Sequence, residues 1–115
     1  MEELGVVNLS RRSFEKWDRI THSHGHTFQE IYALRNGHLV RYCDMVVYPF
    51  TNEHVENLVA LANKHDIMLV PFGGGTNVTQ SLMLPLEEKR MIVVVSMYRM
   101  NAIKWVDKEN GLACV

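Results

Sequence analysis

The residues best suited to chemistry lie in one short stretch, Val70-Pro71-Phe72-Gly73-Gly74-Gly75-Thr76-Asn77-Val78. Three successive glycines leave their backbone N–H groups uncrowded, and glycine reaches φ > 0 at no steric cost. Such a run can bend into a concave nest whose amides converge on an anion. The Thr76 hydroxyl and the Asn77 amide add side-chain donors, so a phosphate or pyrophosphate is the expected guest. The plainer alternative is a tight turn or mobile loop that binds nothing. The flanks exclude two familiar nucleotide loops. A P-loop needs Lys and then Ser or Thr after its last glycine, yet Thr76-Asn77 follow Gly75, and the dinucleotide fingerprint needs glycine where Val78 stands. Both motifs also open a helix, whereas Val78 to Pro85 is short, rich in hydroxyls and closed by proline. The loop is therefore expected to work through its own amides.

A second candidate is Thr21-His22-Ser23-His24-Gly25-His26. In an extended strand the three alternating imidazoles would face one way, an arrangement that can hold a metal. No fourth Cys, Asp or Glu sits at ligand spacing, and Gly25 favours a bend, so a hydrogen-bonded loop is the expected form and the role of these histidines stays open. No Ser/His/Asp, Cys/His or paired-carboxylate arrangement can be assembled from local spacing, and no catalytic residue is assigned. The seven methionines, Trp17 and Trp105 read as packing.

The glycine stretch must be positioned by what precedes it. From Thr51 the period becomes helical: Val55, Leu58, Val59 and Ala62 recur at i, i+3, i+4 and i+7, with Glu53 and Glu56 early and Lys64-His65 late, matching the helix dipole. Apolar runs flank this helix, Asp44-Met45-Val46-Val47-Tyr48-Pro49 before it and Ile67-Met68-Leu69-Val70 after it. Strand, helix and strand with short links predict a βαβ unit with parallel strands and a right-handed crossover. The glycines then lie at the carboxyl end of a parallel strand, where α/β sheets bind ligands. Upstream, Arg11 to Trp17 is compatible with a turn or two of helix in an amino-terminal lead-in. Thr27-Phe28-Gln29-Glu30 is a capping box for a short helix carrying Phe28, Ile31, Tyr32 and Arg35 and stopped by Asn36-Gly37. Downstream, Met91 to Ser96 is strongly strand-like. Two short strands flank the five residues Asp107 to Gly111, an expected hairpin loop. The fold class is α+β, a βαβ unit with parallel strands followed by antiparallel ones.

The 115 residues allow one domain, and 47% hydrophobic content suffices for a core. Twelve basic against thirteen acidic residues give a net charge of -1 with no basic stripe, which argues against nucleic-acid binding. No window reaches the ~18 apolar residues of a membrane span. Cys43 and Cys114, distant and in apolar surroundings, fit reduced thiols of an intracellular protein. The chain ends on the strand-like Leu112 to Val115, and a fragment of a longer polypeptide is expected.

With Pro71 to Val78, followed by Ile92 to Ile103, the chain resembles the FAD-binding domain of the vanillyl-alcohol oxidase and p-cresol methylhydroxylase (PCMH) type. Within that superfamily, His24-Gly25-His26 before Glu30-Ile31, Asp44 to Pro49, and Met100 to Asp107 look most like the alkyldihydroxyacetonephosphate synthase family of ether-lipid enzymes. The resemblance implies an arm over residues 1–23, then the first subdomain of a PCMH-type fold over 24–115, truncated at its carboxyl end. It implies FAD as cofactor, with Pro71, Phe72, Gly73, Gly74, Gly75, Thr76 and Asn77 along its pyrophosphate. The family usually has serine at position 77, and asparagine still offers a donor there. The parent reaction implied is exchange of the acyl group of acyl-dihydroxyacetone phosphate for a long-chain fatty alcohol, without net flavin redox change. Family members are peroxisomal and belong to plasmalogen synthesis, and the resemblance leaves room for a homodimer and peripheral membrane contact. The family's later flavin segments and histidine-rich active site have no counterpart in these residues, so the fragment alone is expected to be inactive. Two other readings stay open: the flavin part of an oxidase or dehydrogenase of hydroxy acids or phenols, and a small non-catalytic α/β interaction module.

Overall fold

Ile92-Val93-Val94-Val95-Ser96 is almost wholly β-branched, and each of its residues is buried. A strand that is apolar on both faces belongs at the centre of a sheet covered on both sides. The computed structural model describes residues 11–115; the first ten residues of the expected arm lie outside it. Its elements are β1 (Arg12–Ser13), α1 (Lys16–Thr21), α2 (Phe28–Arg35), β2 (Met45–Val47), α3 (Asn52–His65), β3 (Met68–Phe72), β4 (Ile92–Ser96), a 3-10 turn (Met97–Arg99), β5 (Trp105–Asp107) and β6 (Leu112–Cys114). The four-stranded sheet has the order β1-β2-β4-β3, with β2 and β3 both parallel to β4 and β1 antiparallel to β2. The strand–helix–strand reading is right in direction. The more apolar β4, from outside that unit, takes the central place between β2 and β3.

Strand alternation divides the core into two layers. Met45, Val47, Val93 and Val95 point toward α3 and meet Leu58, while Val46, Val70, Ile92 and Val94 point the other way and meet Leu82 and Leu84. Those two leucines come from the segment after the glycines, so the chain that leaves β3 returns to cover the sheet. Each such buried aliphatic side chain contributes roughly 1.5–3 kcal/mol. Asp44 fastens the edge of this arrangement: its N–H donates to Ile92 O (2.9 Å), and Ile92 N–H donates to its carboxylate (2.8 Å).

The helix α3 starts where Thr51 accepts a hydrogen bond from His54 N–H (3.2 Å) and stops at Asp66, which adopts the left-handed conformation at φ 52. Its buried face is narrower than the apolar period suggested, since Leu58 and Ala62 are buried but Val59 is 46% exposed. The capping box of α2 forms as expected, yet Phe28 and Tyr32 lie exposed and stack on each other at 6.0 Å, while Glu30 is the buried residue of that helix.

The helix expected over Arg11 to Trp17 instead begins at Lys16, because Arg12 and Ser13 pair with Val47 and Val46. Trp17 and Trp105 are exposed and do not pack as expected. Met45 is buried, Met91 and Met97 line the α3 face, and Met83 is exposed. In the β5–β6 hairpin Asp107 pairs with Leu112, so the loop is one residue shorter than expected. The Asp107 carboxylate accepts from the N–H groups of Glu109 (3.0 Å) and Asn110 (3.2 Å), serving strand and turn together. Cys43 is buried, Cys114 is half-buried, and both are free thiols.

Removing Leu58, the one α3 side chain inserted fully into the core, is expected to destabilise the chain by ~2–5 kcal/mol through the cavity it leaves. Val59→Ala, one position away, is expected to change stability by less than ~0.5 kcal/mol. Urea unfolding followed by circular dichroism distinguishes the two, and equal losses would contradict the layering.

Candidate functional site

β3 runs two residues past its apolar run: Pro71 pairs with Val95 and Phe72 with Ser96. Proline is tolerated because β3 is an edge strand. The loop proper thus begins at Gly73, and from there to Met91 the chain makes only turns and bends, with no helix opening after the glycines.

The three glycines do different work. A Cβ at Gly73 would meet no atom within 4 Å, and one at Gly74 only the Thr76 methyl at 3.7 Å, so both backbones are open to an approaching group. Gly75 is buried at φ 70, and a Cβ there would lie 2.6 Å from Phe72 Cζ. The loop therefore folds back over the Phe72 ring, which only glycine permits at that φ and that distance. Pro71, Gly73, Gly74, Gly75, Thr76, Asn77, Ser81 and Leu82 line a cavity of about 230 Å³. On the other side of Gly73 and Gly74 is a cavity of about 460 Å³, walled by Arg11, His22, Tyr48, Phe72, Ser96, Tyr98 and Arg99.

A network that local spacing did not reveal forms part of that second wall. His22 Nδ1 lies 2.8 Å from Asp18 O and 3.2 Å from Asp18 Oδ1, its Nε2 lies 3.3 Å from Ser96 Oγ, and the Tyr48 hydroxyl donates to Asp18 Oδ1 at 2.6 Å. Both Asp18 oxygens are acceptors, and the nearby Thr21 hydroxyl gives its own proton to Asp18 O, so Nδ1 carries the proton in the neutral ring and Nε2 accepts from Ser96. Burial alone would raise the Asp18 carboxyl, but bonds from Ser13 and Tyr48 and the charges of His22 and Arg11 outweigh it and hold it below its ordinary value. Burial, then the bond to Asp18, pushes the Tyr48 phenol up. Ser96 is 1% exposed, and the constellation acts as a brace: the His22 ring packs 4.5 Å from Phe72 and stiffens the start of the loop. The i, i+4 spacing of Asp18 and His22 is a local signal that could have suggested their pairing, which sequence reasoning missed; Ser96, 74 residues from His22, gives none.

At its far end the loop is tied to the His24-Gly25-His26 segment. His26 N–H donates to Asn77 O at 2.8 Å, and Gly25 sits so close that a Cβ would lie 2.7 Å from that oxygen and 2.8 Å from both Asn77 amide atoms. Asn77 Oδ1 is buried and has no hydrogen-bond partner among the described residues. The histidines do not converge on a metal: His24 Nδ1 bonds Gly25 O at 2.8 Å, and no group of three or more His, Cys, Asp or Glu among the described residues could hold an ion. No described helix is long and apolar enough to cross a membrane.

The residues present fit a diphosphate. Gly73 and Gly74 offer unobstructed backbone, Thr76 an exposed hydroxyl, and no described carboxylate lines either cavity, while Arg11 and Arg99 add positive charge beside the second. Comparison with known proteins gives the family. Residues 43–115 match the family described as FAD binding domain. The chain is 36% identical over 101 residues to an alkyldihydroxyacetonephosphate synthase of Dictyostelium discoideum, covering 88% of this chain and 16% of that protein. It is 33% identical over 109 residues to the Trypanosoma brucei brucei synthase, covering 94% and 18%. A solved alkyldihydroxyacetonephosphate synthase superposes with a TM-score of 0.90 at 34% identity over 98% of this chain and 22% of its own. A Physcomitrella patens BBE-like 1 structure shares the fold, with a TM-score of 0.55 at 23% identity over 86% of this chain and 19% of its own. The chain thus spans less than a quarter of each of these relatives.

Two outcomes are expected from this geometry. Gly75→Ala forces a left-handed alanine into the Phe72 ring and should lower the melting temperature and shift the amide resonances of Phe72 to Asn77, whereas Gly73→Ala should leave the melting temperature unchanged and confine its shifts to residues beside the substitution. The Glu30 carboxylate, which accepts from Gly25 and Thr27, gives a pH signature. Burial tends to raise it, but those bonds and His24 hold it below its ordinary value. The folded state then binds fewer protons than the unfolded chain, so the contribution is complete above the ordinary carboxylate range and is lost as pH falls through the lowered folded value. Glu30→Gln should flatten that acid limb of stability against pH, measured by urea unfolding at stepped pH.

Proposed function

Because the chain belongs to the FAD binding domain family, we propose that Pro71 to Asn77 is the segment that grips the flavin diphosphate in an ether-lipid synthase. The observation that carries this is the unobstructed backbone of Gly73 and Gly74 at the carboxyl end of a parallel strand, between two cavities free of described carboxylates. Gly73 and Gly74 hold the diphosphate through backbone N–H groups, Thr76 adds its hydroxyl, and Pro71 and Phe72 set the direction in which the loop leaves β3. The buried acceptor face of Asn77 is turned to the His24–His26 segment and holds the loop's exit.

When bound, FAD supplies the reactive ring for the proposed exchange of the acyl group of acyl-dihydroxyacetone phosphate for a long-chain fatty alcohol. This chain's residues bind and orient the nucleotide. Ser96 and His22 brace the loop, and the aromatic wall of Phe72, Tyr48 and Tyr98 limits water beside it. The similarity to alkyldihydroxyacetonephosphate synthases supports this reading over that of an oxidase or dehydrogenase, since the BBE-like likeness is one of fold alone. The proposal extends to a peroxisomal parent enzyme in plasmalogen synthesis, a homodimer in peripheral contact with the membrane. Its support there is the likeness to the ether-lipid enzymes.

The reading is tested first by titrating FAD and ADP into the 115-residue chain and following the amides of Gly73 to Asn77. Parent protein should show saturable shifts confined to the loop and its two cavities, and Gly73→Val with Gly74→Val should weaken binding at least ~10-fold, about 1.4 kcal/mol. Loop amides that do not move with either nucleotide would contradict it. Activity is tested by grafting residues 11–115 in place of the matching segment of an alkyldihydroxyacetonephosphate synthase. Alkyl exchange without an electron acceptor supports the assignment, and turnover only with an acceptor favours the oxidase.

A further inference from the structure

The His24-Gly25-His26 segment lies outside residues 43–115, the part that matches the FAD binding domain family, yet it touches the glycine loop more closely than any neighbouring strand requires. Gly25 is held by a carboxylate. Its N–H donates to Glu30 Oε1 at 2.8 Å, while Glu30 Oε2 accepts from Thr27 N–H at 3.2 Å and from the Thr27 hydroxyl at 2.7 Å. Glu30 N–H donates in return to Thr27 Oγ1 at 3.2 Å, closing the box, and Glu30 is only 6% exposed. The box therefore does more than begin α2, because its carboxylate reaches two residues beyond the N-cap and fixes the backbone turn at Gly25. That turn directs His26 N–H at Asn77 O and leaves no space between Gly25 and the Asn77 side chain.

We propose that Glu30 is a positioning residue for the cofactor loop: through the Gly25 turn it clamps Asn77 and so holds Gly73 to Thr76 in the shape that receives a diphosphate. The flavin part of this inference rests on the function proposed above; the clamp itself does not. Its reasoning is physical. Two exposed glycines without close contacts have large conformational freedom, and that freedom has to be removed before their amides can converge. At the entry Phe72 and Gly75 interlock. At the exit, among the described residues, the direct backbone bond from Asn77 to a distant segment is the one from His26. Loss of the Glu30 carboxylate frees the Gly25 N–H and the Thr27 donors together, and the turn that aims His26 has nothing else among these bonds to hold it.

The test separates loop order from overall folding. Hydrogen exchange is measured on the whole chain for the parent, Glu30→Ala and Glu30→Gln, comparing the His26 amide, which bonds Asn77 O, with the core amides Val93 to Val95. Glu30→Ala is expected to speed exchange at His26 at least tenfold while the core amides keep their protection. Glu30→Gln, which retains one acceptor oxygen, should fall between the two. If Glu30→Ala does not fold, Glu30→Gln decides alone, with faster His26 exchange at unchanged core protection as the expected result. His26 exchange equal to the parent in the folded variants would overturn the clamp. Titration of the same proteins with ADP and FAD tests the second half. Dissociation constants about tenfold higher in Glu30→Ala support it, unchanged constants overturn it, and a parent that binds neither nucleotide refutes the flavin reading while the exchange data still judge the clamp.

Discussion

A strand that is apolar on both faces must be hydrogen-bonded along both edges and covered above and below, and β4 imposes this on the rest of the chain. β2 and β3 supply the edges, α3 covers one face, and Leu82 and Leu84 cover the other. Once β3 is parallel to β4 and in register with it, Phe72 stands beside Ser96, and both strands end on the same side of the sheet. The glycine loop leaves from one end and the 3-10 turn with Tyr98 and Arg99 from the other. Both candidate cavities therefore lie at the carboxyl edge because of strand order, as ligand sites in parallel sheets do.

The need to cover the second face also explains why the loop is not free to wander. The chain after Asn77 must return across the sheet to insert Leu82 and Leu84, each 5% exposed. The loop is thereby strung between two burial sites, β3 behind it and the two leucines ahead. Core packing and site formation are the same event: apolar burial supplies the free energy, and the geometry of the glycines follows from where the buried residues must go.

Features carried by local pattern were readable in the sequence. The helix α3 announces itself through its period and charged ends, the Thr27–Glu30 box through its spacing, and the candidate site through three glycines after an apolar run. What escaped depends on residues far apart in the chain. Nothing near Val70 says that β4 rather than β2 will be its neighbour, since that is decided by which strand is most apolar once all are present. Arg12-Ser13 is too short to show a strand period. The ring that fills the space under Gly75 could be suspected from Phe72, but the approach of Gly25 to Asn77 joins positions 52 residues apart with no local signal. Val59 and Trp105 fit apolar patterns and are nonetheless exposed, because the period records a capacity for burial and the actual burial depends on what is packed against it.

Three consecutive glycines are a costly way to build a candidate binding loop, since each loses more backbone entropy on ordering than any other residue. The structure divides that cost. Gly75 is a packing residue, required by its positive φ and by the Phe72 ring, and it is held in place by the core. Only Gly73 and Gly74 remain uncovered, with ordered residues on both sides: the His22-braced Phe72 before them and the Asn77 contact after them. A loop restrained at both ends has less freedom left to lose when an anion arrives, so more of the interaction appears as affinity. Hence the side chains that matter most to this site are ones that need never touch the ligand, and the two residues best placed to touch it have no side chain at all.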